Sequence, residues 1–519
     1  MSLQESTIDS FWGAPANTLG GRDPLGIQNS SIVVYSNLIP GLTNLTRRVR
    51  YNGFYCWLIK AVGLHLFNTT PESVDVLDVQ FCYVRRAELL LAYVMVGTPE
   101  FGDPNGVSGS LYARRHILDD YLDLAKGADK ENGLSNTYWR NPLGVFGQYY
   151  VGAMIQLGLI CPPGPSRNTY RNTELGEKLA EAYLQNVKEK ADLFIDCIVK
   201  GFLTKDELSD FRCFSLTSIP NNEEREIYKD LFSKYDTIGT RQSFNRASSI
   251  SMILKYLDTD GVNCQKNQCS KEFLRYNFEA VINRSFDYSS DIERLWFIYE
   301  LNELTHTAYE AFHFGILNSL TTDPYPLSRI IETLLLGVDN IAHKEGIKAL
   351  EDFNCDVHAH DLYNRVFDLM NHSKGAESLF EASRLLFVLY HGLQKSFDSI
   401  KDYTIRKQLE RPGAAVDLLE RFFVGQEYLN LHEFVETMLY DAMNVHMRSS
   451  YEKSNATSLT HNYMIEEGSI WRLRNTIPIR TSPRLDSLLA YMEDLGWIET
   501  EDNHLRSTGD DYRIRKDGE

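Results

Sequence analysis

Between positions 303 and 313 the chain carries Glu303, His306, Glu310 and His313, two Glu-x-x-His units a heptad apart. Carboxylates and imidazoles bind divalent metals, and imidazole moves protons near neutral pH. At 3.6 residues per turn the four fall within about 80° of arc, on one face of a helix. Dinuclear centres in helical bundles use paired units of this kind, but on different helices that face each other. Here both units sit on one helix, about 10 Å apart along its axis, too far for one cluster. The stripe is read first as a solvent face or a buried hydrogen-bond ladder. No metal ligand and no cofactor is assigned.

A second set is basic. Arg47, Arg48 and Arg50 precede Tyr51, Phe54, Tyr55 and Trp57, and Arg85 and Arg86 lie beside Glu88. Arginines interleaved with aromatic rings can grip phosphates and stack bases. They equally form Arg–Glu pairs and cation–π contacts inside a helical domain. The apolar neighbours favour the internal use.

These residues need elements to position them, and two stretches have a recognisable order. In the first, a helix from Leu143 to Leu157 ends at Gly158. Strand-like Leu159-Ile160-Cys161 follows, then a turn through Pro162, Pro163 and Gly164, a returning Thr169-Tyr170-Arg171, and a helix capped by Thr173. In the second, a helix through Leu485, Leu488, Leu489, Met492 and Leu495 stops at Gly496. Trp497 to Thr500 reads as a strand, Glu501-Asp502-Asn503 as a turn and His504-Leu505-Arg506 as its return.

Both stretches, at about 141–184 and 483–515, resemble winged-helix modules. In the DNA-reading version of that module one helix enters the major groove and basic wing residues hold phosphates. The resemblance puts Arg140, Arg167, Arg171 and Lys178 in that role in the first stretch. In the second it puts Arg484, Arg506, Arg513, Arg515 and Lys516 there. The second helix carries Asp486, Glu493 and Asp494, which suits a groove poorly and a protein contact better. The nucleic-acid-binding set expected overall is Arg47, Arg48, Arg50, Arg167, Arg171, Arg506 and Arg513.

Arg-x6-His occurs twice, as Arg365 with His372 and Arg384 with His391. This spacing on a helix is similar to that of the HEPN ribonucleases. Those motifs carry a polar residue after the arginine, whereas Val366 and Leu385 follow here. Chance hits are also expected in a chain with 13 His.

The rest of the chain bounds these readings. A length of 519 residues implies several domains. Hydrophobic content of 43% with 24% charged residues is the profile of a globular protein. A formal charge of -18 confines any nucleic-acid contact to a local patch. The eight cysteines show no Cys-x-x-Cys pair and read as free thiols in a reducing compartment. The start, Met-Ser-Leu-Gln-Glu-Ser, is not that of a signal peptide, and no apolar run reaches the roughly 20 residues of a membrane span. A cytoplasmic protein is expected. There is no phosphate loop, no His-Glu-x-x-His, no Gly-x-Ser-x-Gly and no kinase set.

The expected fold is mainly α, a multi-domain helical protein with two winged-helix-like (α+β) segments. A helical domain with an irregular arm covers 1–130, and the first winged-helix-like domain covers 131–200. A helical middle domain spans 201–450, a linker 451–482, and the second winged-helix-like segment 483–519. Within these, Ile32 to Tyr35 reads as a short strand, 110–125 as a helix, and 414–448 as one continuous helix. At the level of architecture the chain resembles accessory subunits of bacterial chromosome-maintenance and anti-phage defence systems. The expectation is a non-enzymatic scaffold or sensor subunit with a protein partner, DNA as a second ligand and no membrane contact. The alternative is a helical enzyme. Its metal-dependent form uses Glu303, His306, Glu310 and His313, and its ribonuclease form uses Arg384 and His391.

Overall fold

The computed structural model describes residues 23–43, 45, 47–69, 75–97, 107–119, 121–164, 168–235, 241–454, 460–481, 484–509 and 515–516. The longer helices are numbered here in chain order. They are α1 (Gln28–Leu38), α2 (Tyr51–Thr69), α3 (Val76–Gly97), α4 (Glu174–Lys200), α5 (Glu223–Ser233), α6 (Arg241–Leu257) and α7 (Cys269–Arg284). After them come α8 (Asp291–Asn318), α9 (Leu327–Glu345), α10 (Ala359–Asn371), α11 (Gly375–Leu393), α12 (Ala415–Phe423), α13 (Leu431–Lys453) and α14 (Leu485–Asp494). The protein is mainly helical with small sheets. No helix among the described residues is long and apolar enough to cross a membrane. All eight cysteines are free thiols.

Most helices start and stop where periodicity and caps place them, and the exceptions have physical causes. Ile32 to Tyr35 lies inside α1, because a β-branched run follows its packing partners rather than its intrinsic preference. Val34 and Leu38, four residues apart, are both fully buried. The stretch 414–448 is two helices. The break follows Val424, with Gly425 at φ +71° and Asn430 capping the start of α13. In 110–125 the expected helix is interrupted: Ser110–His116 is helical, a strand follows at Tyr121–Asp123, and a short new helix starts at Leu124.

The chain divides into two units, each made of two segments: Met1–Ser36 with Phe273–Thr481, and Asn37–Glu272 with Ser482–Glu519. The first is built around α8. Ser290 and Glu293 close a capping box at its start, with Glu293 accepting from the Ser290 amide at 2.7 Å. Every residue from Leu295 to Leu317 is buried. A helix that has no solvent face is a core element, and α10, α11, α12 and α13 pack around this one. Gly413 must be glycine. At φ +86° a Cβ would sit 2.5 Å from Ile27 Cγ2, and the Gly413 carbonyl is needed by α8. Part of the expected linker is ordered here. Strands β5 (Tyr463–Glu466) and β6 (Ser469–Arg472) pair antiparallel, and β6 also pairs with β4 (Tyr325–Pro326).

The second unit rests on α2, α3 and α4. Phe54, Trp57, Phe194 and Phe214 interlock in its core, with Phe194 and Phe214 stacked at 4.4 Å between centroids. It contains both helix–hairpin stretches. In the first, β1 (Ile160–Cys161) pairs with β2 (Arg171–Asn172), and Thr173 caps α4 by accepting from Gly176 N at 3.1 Å. A Cβ on Gly176 would lie 2.0 Å from the Leu159 carbonyl, so glycine permits the close meeting of helix and strand. In the second, α14 ends before Gly496 at φ +78°. There β7 (Ile498–Glu501) pairs with β8 (His504–Ser507), and β8 takes β3 (Cys264–Gln265) as a further neighbour.

Candidate functional site

The arginines expected on a nucleic-acid surface are divided by burial. Arg50 is only 1% exposed. Its Nε donates to Glu224 Oε1 at 2.8 Å, its Nη1 donates to the Cys213 and Ser215 carbonyls, and its guanidinium lies 4.9 Å from the Tyr183 ring centre. Glu224 also accepts from Tyr228 and Asn186. The charge is closed within the unit, so Arg50 is a core residue. Arg48 is half-buried and reaches Asp494 at 2.9 Å, and the second Asp494 oxygen accepts the Val49 amide at 3.0 Å. Arg85 and Arg86 are also used internally. Arg85 serves the Ala128, Asn141 and Trp139 carbonyls, and Arg86 pairs with Asp129.

The remaining members are scattered. Arg47 is exposed before α2. Arg171 is half-buried in β2, with its Nε lacking a partner. Arg506 is exposed on β8 and pairs with Glu501 of the same hairpin. Arg167 and Arg513 lie outside the described residues. The acidic residues of α14 are engaged within the unit. Asp486 accepts from Ser270, Glu493 from Lys266 at 2.6 Å, and Asp494 from Arg48. Leu485, Leu488, Tyr491 and Met492 on the same helix are buried. This helix is docked on both its apolar and its charged side.

The Glu/His stripe is a ladder within the core of the first unit. Glu300, Glu303, His306, Glu310 and His313 are all buried on α8. His306 Nε2 stands 2.7 Å from the Gly413 carbonyl, so that nitrogen carries the proton. Burial pushes His306 down to about 4, against a smaller upward pull from that carbonyl. Burial pushes Glu303 up to about 7, although Thr481 and Ser31 hydrogen-bond to it. Burial, with Asp23 and Glu303 nearby, raises Glu310 well above the usual carboxyl range. Glu303 and Glu310 each have one oxygen without a partner. His313 lies beside His446, with ring centres 4.4 Å apart and the planes tilted by 43°, and burial lowers both. Each side chain faces a different partner. Among the described residues no three His, Cys, Asp or Glu side chains gather to hold a metal.

The two Arg-x6-His pairs differ. Arg365 reaches Glu381 at 2.9 Å, and His372 bonds the Asp368 carbonyl. Arg384 is half-buried with an unpartnered Nε, and His391 is exposed at the end of α11. His391 lines a cavity of about 200 Å³ with Cys355, His358 and His360. Sequence reasoning passed over those three. Their signal was available as Cys-x-x-His-x-His at the start of a helix. Glu279, which also lines the cavity, comes from α7, and only the fold brings it there.

No protein-family model, no curated protein and no solved structure matches the chain.

Proposed function

We propose that the chain is a non-enzymatic docking or sensor subunit of a multi-protein bacterial system, of the anti-phage defence or chromosome-maintenance kind, and that its principal partner is a protein. The observation that carries this reading is the internal use of the basic patch. Arg50 is sealed against Glu224, and Arg48 is held by Asp494. A phosphate contact needs a guanidinium that reaches solvent. The two helix–hairpin stretches enter the reading as winged-helix-like docking modules. The acidic helix α14 would repel phosphate, and the charge of -18 adds to that repulsion. DNA contact, where it occurs, falls to the wing residues Arg171 and Arg506 and to Arg47.

Two measurements on the purified full chain test this. Co-expression with the products of neighbouring genes is expected to give a stoichiometric complex that survives gel filtration. Titration with duplex DNA at low salt is expected to give weak binding, which Arg47→Ala and Arg506→Ala reduce and Arg50→Lys leaves unchanged. Tight duplex binding that falls steeply with salt, together with no complex, would overturn the reading.

A further inference from the structure

A second cavity in the first unit has a volume of about 740 Å³. One wall is the segment 23–27 with the first turn of α1. The facing walls are the turn at Pro412 and Gly413, α12, and the C-terminal half of α13, with Tyr309 of α8 between them. These walls are tied in place. Asp23 accepts the amides of Gly26 at 2.8 Å and Gln28 at 3.1 Å, and Lys453 donates to the Asp23 carbonyl. The Pro24 carbonyl accepts from His446 Nδ1 at 2.8 Å, and the Gly413 carbonyl from His306 Nε2. Gly26, at φ +71°, passes so close to α13 that a Cβ would stand 2.6 Å from Ser449 Oγ. Anchored backbone therefore bounds the space on both sides.

The lining is apolar inside and charged at the mouth. Leu25, Ile27 and Leu418 are buried along it, and Ile32, 36% exposed, continues that surface outward. Among the described residues five charged side chains line the cavity, and they differ in what is left to offer. Asp23 is taken up by three amides and Lys453. Arg421 is shared with Asp441 at 2.8 Å. Arg448, exposed on α13, has no ion pair and no hydrogen bond among the described residues. Its guanidinium therefore keeps five N–H donors, in a fork that matches a carboxylate. Glu452, one turn further on, is unpaired as well. It is one acceptor group against the whole fork of Arg448 and the unused donors of Arg421. The balance favours a ligand with an anionic head, and the nearby Glu452 limits that head to a single charge.

We infer that this cavity is a binding site for an amphipathic carboxylate, a monoanion with an aliphatic body of fatty-acid type. The carboxylate pairs with Arg448 at the mouth, and the body packs on Leu25, Ile27, Leu418 and Ile32. The volume falls within the roughly 300–1,000 Å³ of small-molecule sites, which are likewise mainly apolar with a few polar groups that orient the ligand.

The test compares three probes with one body on the full chain at pH 7.5: decanoate, 1-decanol and decylammonium, each below the concentration at which it aggregates. Binding is read by calorimetry. Decanoate is expected to bind saturably at one site per chain, about tenfold tighter than decanol, the scale of one charge-assisted contact. Decylammonium is expected to bind no tighter than decanol. Arg448→Gln, at an exposed position, is expected to weaken decanoate about tenfold and leave decanol unchanged. Ile32→Trp, which fills the mouth, is expected to weaken both at least about tenfold, with circular dichroism confirming the fold of each variant. Absence of saturable decanoate binding, equal or tighter binding of decylammonium, or indifference of decanoate to either substitution would each overturn the inference.

Discussion

The two units bury carboxyl groups in opposite ways. In the unit of α2, α3 and α4, Glu224 faces Arg50, and Glu88 accepts from Tyr55, Tyr138 and the amides of Val145 and Phe146. Asp494 faces Arg48, although burial still raises it to about 6. In the unit around α8, Glu303 and Glu310 are enclosed with one oxygen each unbonded, and burial outweighs the hydrogen bonds to both and the pull of Lys453 on Glu310. Ionising a carboxyl in such a place is unfavourable, so the proton is held to higher pH than on an exposed carboxyl. The first kind of burial holds a unique geometry through fixed ion pairs and, at Glu88, through four hydrogen bonds. The second makes stability depend on pH near neutrality, a property that a sensor subunit would use.

The contrast can be broken at its strongest point first. Glu224→Ala leaves the Arg50 guanidinium buried without its carboxylate. Loss of one partner of a buried pair typically costs about 3–5 kcal/mol. Denaturant unfolding followed by tryptophan fluorescence is expected to show that loss in the unit that contains Trp57.

The next effect has the opposite sign. A carboxyl whose folded pKa is raised loses stability as pH climbs from its unfolded value to its folded one. For Glu303 that window runs from the ordinary carboxyl value of 4.5 to about 7. Glu303→Gln keeps the shape and removes the titration. At pH 8 it is expected to stabilise the unit by about 2–3 kcal/mol, and at pH 5 to change little, as thermal melts at the two values would show. The histidines act from the other side. His306 and His446 are pushed down to about 4, so they withdraw stability as pH falls from 6.5 toward 4. The two limbs oppose each other between pH 4.5 and 6.5, and above that range the buried carboxyls alone lower stability.

The smallest effect sharpens the helix–hairpin comparison. Thr173 caps α4 with one side-chain bond, and Thr173→Ala is expected to cost about 1 kcal/mol, measured by the same unfolding assay.

The elements were largely legible in the sequence because their signals are local. Thr173 as an N-cap, Gly496 as a stop and the apolar spacing of Leu485, Leu488, Leu489 and Met492 each act within a few residues. The short strand expected at Ile32 failed because packing of the whole segment outweighs the preference of three β-branched residues. The destiny of the arginines was not legible. Arg50 meets Glu224 across 174 positions and Arg48 meets Asp494 across 446, and no local pattern encodes such partners. The Glu/His stripe was legible as a stripe. Which of its two readings holds, solvent face or buried ladder, was not, because that depends on α8 being apolar enough on its other faces to be wrapped completely.

The most direct test of the contrast is hydrogen exchange at pH 6.5 and pH 8, corrected for intrinsic rates, read separately on α8 and α4 in wild type and in Glu303→Gln. The opening free energy of α8 is expected to fall between the two pH values in wild type and to fall less in the variant, in which Glu310 still titrates, while α4 changes little in either. An α8 that is indifferent to pH in wild type, or an α4 that falls as far as α8, would contradict the account.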